Sequence, residues 1–136
     1  IVYGSSGNYG FLTTGASWSW KGDNSGNWVA TGTVTANSDI RLKENINTIP
    51  NALEKVTKLR GVEYTRISTQ EKEIGVIAQE VKEVVPELVS ITDGRTEADP
   101  DALQDLHTMK YQNTVALLIE AIKELKAEVD ELKGKK

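Results

Sequence analysis

Ser38 and Lys43 are the residues whose types and spacing allow chemistry in this chain. A serine hydroxyl is a poor nucleophile until a base takes its proton. A lysine can be that base when burial or a neighbouring cation lowers its pKa. In the stretch "TANSDIRLKENINTIP" the lysine follows the serine by five positions, with Arg41 as the neighbouring cation and Leu42 as apolar cover. The nearest carbonyl carbon is that of Asn37, bonded to the nitrogen of Ser38 itself. Attack there shifts the acyl group from nitrogen to oxygen, and water completes a cut between Asn37 and Ser38. Asp39 is placed to cap a helix start or to hold the loop. An ordinary linker fits the same residues, with Ser38 as a cap or turn residue and Lys43 in solvent. Spacing alone leaves both readings open.

The rest of the composition removes other chemistries. There is no cysteine, which excludes disulfides, thiolate metal sites and thiol catalysis. His107 is the single histidine, so a site needing two is excluded, and it reads as a surface or interface residue. Glu97, Asp99, Asp101 and Asp105 match no calcium-loop spacing and read as solvated charges. No metal and no cofactor is expected, and no phosphate-cradling glycine motif appears. With 16 basic against 20 acidic residues the formal charge is −4, which argues against nucleic acid as a partner. No apolar run has the length of a membrane-spanning helix and no signal peptide is visible, so no membrane insertion is expected. A start at Ile1 reads as a piece of a longer protein.

Those residues must be positioned by two parts of unlike composition. Residues 1–37 hold seven of the 11 glycines, all three tryptophans (Trp18, Trp20, Trp28) and only two charges, Lys21 and Asp23. Small or polar residues alternate with aromatic and β-branched ones, and "TTG" and "KGDNSGN" are turn signals. Short strands in hairpins are expected, too few to bury a core alone. The tryptophans read as strand-to-strand packing, with stacking on the sugar rings of a bacterial glycan as the alternative.

From Ser38 onward charges are dense. Pro50, Ala52, Leu53, Val56 and Leu59 predict a helix; "GVEYTRIS" and "TQEKE" predict a strand and a hairpin tip. "IGVIAQEVKEVV" predicts a short strand running into an amphipathic helix that stops near Val85 and Pro86. Asp93-Gly94 marks a turn, and the acidic loop after it reads as a protruding arm. Val115, Leu118, Ile122, Leu125, Val129 and Leu132 are spaced 3-4-3-4-3, a heptad seam over about residues 111–133. Glu128 and Lys133 fall at the flanking g and e positions. A helix of about 25 residues is about 37 Å long, more than so small a domain covers, so self-association is expected. β-Branched residues at a with Leu at d lean towards two strands; Ile119 at e widens the stripe towards three.

"SDIRLKENI", "GVIAQEVKEVVPELV" and "YQNTVALLIEAIKELKAEVDEL", in that order, resemble the intramolecular chaperone domain found at the C-terminus of phage tail fibres, tailspikes and endosialidases. The resemblance spans residues 38–136. It implies that Ser38 and Lys43 are a Ser-Lys dyad, making the domain a self-cleaving serine peptidase that cuts once per chain between Asn37 and Ser38. It also implies a homotrimer that guides the folding of an upstream β-fibre of the same chain and then releases itself. Residues 1–37 would be the end of that fibre. The expected fold class is α+β: a small β-strand fibre end, then a mixed α/β chaperone domain with a long C-terminal coiled-coil helix, homotrimeric. Synthesis in the bacterial host cytoplasm, a mature fibre in the virion tail and a bacterial surface receptor follow as expectations. The competing expectation is a non-catalytic trimerisation and adhesion module in which Ser38 is a linker residue.

Overall fold

A computed structural model describes residues 2–5, 7–24, 26–95, 99 and 101–135. The chain divides into two compact units, residues 1–46 with 66–71, and residues 47–65 with 72–136.

The first unit is built on a four-stranded antiparallel meander: β1 (Val2–Ser5), β2 (Asn8–Leu12), β3 (Trp18–Asp23) and β4 (Trp28–Ala30), in sequence order. The pairings Tyr9 with Gly22, Phe11 with Trp20, and Gly22 with Trp28 put the large rings on one face of the sheet. Trp20 and Trp28 stack with centroids 4.1 Å apart, Phe11 stacks on Trp20 at 5.2 Å, and Tyr9 meets Trp28 edge-on at 5.4 Å. The glycines make this possible. A Cβ on Gly22 would lie 2.9 Å from the Tyr9 ring, and one on Gly10 would lie 2.1 Å from the Trp20 carbonyl oxygen. The expected strands form, and all four rings stay partly exposed.

The second unit holds α1 (Ala52–Lys58), the hairpin β5 (Val62–Thr65) with β6 (Lys72–Gly75), α2 (Ala78–Val84), the hairpin β7 (Val89–Thr92) with β8 (Leu106–Met109), and α3 (Thr114–Gly134). This matches the expected mixed α/β order with a long last helix. α2 ends at Val84, Val85 leaves helical geometry, and Pro86 opens a 3-10 turn, as a proline's restriction of the preceding residue requires. The core is small: Ala52 from α1, Val81, Val85 and Leu88 from α2 and its exit, and Leu117 and Ala121 from α3. Ala52 and Ala121 are both nearly inaccessible, and small side chains of this kind let two helices approach closely.

The last helix is shorter than the about 25 residues expected. It spans 21 residues and begins at Thr114, because Tyr111–Asn113 form a 3-10 turn instead of its first helical turn. Its length is therefore about 31 Å at ~1.5 Å per residue. Only Leu117 and Ala121 of this helix are buried, and every described residue from Leu125 onward is exposed. The predicted seam, Val115, Leu118, Ile122, Leu125, Val129 and Leu132, faces solvent along its whole length, with Ile122 65% and Leu132 67% exposed. A Leu, Ile or Val side chain gains about 1.5–3 kcal/mol on full burial, a gain this exposed stripe does not have in the single chain.

Candidate functional site

The segment after the meander has no regular structure until Asp39. Asp39 sits in extended backbone (φ −65°, ψ 137°) and caps a 3-10 turn, Ile40–Leu42. The cap is local: the backbone N–H of Arg41 donates to Asp39 Oδ1 at 2.8 Å. Leu42 N–H donates to the Asp39 carbonyl and Lys43 N–H to the Ile40 carbonyl, each at 3.1 Å. The turn reverses the chain enough to bring Lys43 Nζ to 2.8 Å from Ser38 Oγ. The two residues singled out from spacing are thus in hydrogen-bond contact. As an ammonium, Lys43 donates to the serine; as an amine, it accepts the serine proton across the same separation.

The neighbouring charges differ from expectation. Arg41 is not a free cation beside Lys43. Its Nε and its terminal nitrogen donate to the two oxygens of Asp39 at 2.9 Å and 2.7 Å. The guanidinium bonds hold the Asp39 carboxyl below its ordinary value of 3.8, with the Arg41 N–H and the charge of Lys43 acting in the same sense. Nor is Lys43 sheltered: Ser38, Lys43 and their neighbours are exposed in the single chain. Three apolar side chains of the same stretch are also bare, with Ile40 70%, Leu42 69% and Ile46 61% exposed.

Other singled-out residues do not join this site. His107 lies on β8, paired with Ile91, with its Nδ1 2.8 Å from the Asp105 carbonyl oxygen. Glu97 falls outside the described residues; Asp101 and Asp105 lie on the loop between β7 and β8. Among the described residues no group of acids and histidines has metal-holding geometry, and no helix is long and apolar enough to cross a membrane.

One residue of consequence was missed. Glu124 of α3 accepts the Ala52 N–H at 2.9 Å and the Leu53 N–H at 2.8 Å, at the N-terminus of α1. Asn51, the residue before that helix, is left-handed (φ 52°, ψ 42°) and gives no side-chain cap, so the carboxylate comes from across the domain. Those two N–H bonds hold the Glu124 carboxyl below the ordinary glutamate value, helped by Lys55. The available signal was Leu117, Ala121 and Glu124, a second stripe at helical spacing beside the seam.

A serine and a lysine in hydrogen-bond contact precede, in sequence, a mixed α/β unit that ends in a long helix. Residues 38–90 match the family described as "Chaperone of endosialidase", which carries a peptidase name. It is similar to "Long tail fiber protein Gp37" of Enterobacteria phage K3, 41% identical over 107 residues that make up 75% of this chain. The protein of that name from Enterobacteria phage M1 is 37% identical over 74% of this chain. That from Escherichia phage AR1 is 34% identical over 67%. The matched stretch spans 8% of the phage K3 protein and 40% of the phage M1 protein.

Proposed function

We propose that this chain is an intramolecular chaperone that trimerises through α3, templates the folding of an upstream β-structured tail fibre, and releases itself by cutting between Asn37 and Ser38. The observation that carries the catalytic half is the 2.8 Å contact between Lys43 Nζ and Ser38 Oγ. Lys43, as a neutral amine, takes the hydroxyl proton while Ser38 Oγ attacks the Asn37 carbonyl carbon. The C–O bond forms, the C–N bond breaks, and the proton passes to the Ser38 nitrogen, leaving an ester. Water then hydrolyses that ester to an Asn37 carboxylate and a restored Ser38 hydroxyl. Apart from that water, no outside substrate or cofactor is consumed.

The bare seam of α3 supports three copies meeting along it. Three fibre strands must start in register, or they misalign and leave sheet edges open. A helical seam made of local contacts assembles first and holds three ends at high effective concentration. The exposed apolar side chains of Ile40, Leu42 and Ile46 in the same stretch support the idea that assembly covers it, and a desolvated lysine is a better base. After the cut the product is kinetically trapped, because its folding template has left. The domain boundary then lies at Ser38, with residues 1–37 the fibre end and residues 38–136 the chaperone. The long tail fibre relatives support placing the mature product in a virion tail, made in the host cytoplasm and facing a bacterial surface receptor.

A second reading is favoured by the openness of Ser38 and Lys43 to solvent: a trimerisation and adhesion module that never cuts. Intact-mass measurement of the purified protein beside its Ser38→Ala variant separates the two. The protease reading requires a fragment beginning at Ser38 from the parent and none from the variant. No such fragment from the parent, or the corresponding fragment from both chains, overturns it.

A further inference from the structure

Asp39 and Arg41 form a closed local pair next to the dyad, and the dyad chemistry does not use either. Resting on the Ser-Lys reading above, we propose that Arg41 is a positioning residue for the cut: it holds the Asp39 carboxylate in the turn cap and so keeps that carboxylate off the Lys43 amine.

Two observations carry this. Both Asp39 oxygens are committed to Arg41, one of them to its side chain and its backbone N–H together. Yet Asp39 lies close enough to Lys43 to feel its charge. A lysine can lean towards a hydroxyl or form an ion pair with a carboxylate, and only the first leaves it able to accept a proton. An aspartate four residues before the lysine, set free, would compete with Ser38 for the amine. Arg41 removes that competitor by offering a planar fork that matches a carboxylate better than an ammonium does. The pair is exposed, with side-chain accessibilities of 86% for Arg41 and 41% for Asp39, so its contribution to overall stability is small. Its role is to choose which partner Lys43 faces.

The test is a set of full-length variants assayed by the rate of chain scission. Arg41→Ala releases the carboxylate and slows the cut by about tenfold to a hundredfold, the scale of a misplaced catalytic group. Asp39→Asn keeps an oxygen that can cap the turn while removing the charge, and cuts faster than Arg41→Ala. The double variant Asp39→Asn/Arg41→Ala regains rate over Arg41→Ala alone, because nothing remains to capture the amine. A merely structural pair would make the double variant the slowest. Arg41→Ala cutting at the parental rate, or a double variant no faster than Arg41→Ala, overturns the proposal.

If parent and Ser38→Ala never differ, the Ser-Lys reading itself has failed, and a measurement that needs no cut still decides this one. In Lys43→Ala, Arg41→Ala and Ser38→Ala chains observed by NMR, the Asp39 carboxyl resonance of the Arg41→Ala chain must respond to removal of Lys43 more than that of the Arg41-containing chain. Equal responses mean that Arg41 diverts nothing.

Discussion

Glu124 and Leu53, far apart in sequence, are joined by a 2.8 Å hydrogen bond from the Leu53 N–H to the Glu124 carboxylate. With the matching bond from Ala52, it fixes the start of α1 against the middle of α3. Helix N-termini carry unpaired N–H groups and a partial positive charge. Here a carboxylate from another helix satisfies both.

Glu124→Ala is therefore expected to lower stability, and the loss should depend on pH. The folded carboxyl lies below its ordinary value of 4.5. A group shifted down contributes stability that is complete above its unfolded pKa and lost as pH falls through the folded one. Denaturant titrations of parent and variant should differ most at neutral pH, and the gap should close on acidification below about pH 4.5. A gap that is constant with pH would mean that packing, not the carboxylate, holds α1.

Leu117 and Leu118 are sequence neighbours with opposite tasks. Leu117 is buried in the chain's own core and Leu118 is exposed on the seam. Leu117→Ala should cost about 2–5 kcal/mol by the usual scale for a core truncation, whatever the protein concentration. Leu118→Ala should shift the unfolding midpoint only where chains associate, so its effect should vanish on dilution. Sedimentation across a concentration series checks the second half: Leu118→Ala paired with Ile122→Ala is expected to yield monomers.

Lys43→Arg is the sharpest single change at the dyad. Arginine retains the positive charge and the reach, but it does not surrender a proton at ordinary pH. The variant should fold and associate as the parent does and fail to cut. Intact mass over several days measures this; scission at the parental rate would show that no base is needed at position 43.

Gly22 tests the aromatic face. Tyr9 occupies the space a side chain would need there. Gly22→Val should push the Tyr9 ring aside and break its edge contact with Trp28. The Trp20–Trp28 stack gives an exciton couplet in circular dichroism; Trp28→Ala should abolish it, and Gly22→Val should reduce it.

Much of this was legible in the sequence because it is periodic or local. The alternation around Trp18–Trp28, the strand of "GVEYT" and the heptad spacing after Val115 each report a face or an element, and these elements appear. Ser38 and Lys43 were singled out by spacing, which left an ordinary linker open, and it was the family resemblance that paired them. Spacing could not show that Arg41 is spent on Asp39, since an Arg two residues from a Lys looks the same whether it is free or paired. Nor could it show that Glu124 serves α1, a contact between distant segments. The late start of α3 at Thr114 escaped for a milder reason: "YQN" differs little from helix in composition, and a 3-10 turn is set by backbone geometry alone.

The hydrogen bonds that shape the Ser38–Lys43 turn join residues no more than five positions apart. Such a device owes little to the architecture around it. The turn's shape is thus written into six consecutive residues, Ser38 to Lys43, and on the proposed reading the cargo has to supply only the carbonyl in front of the serine.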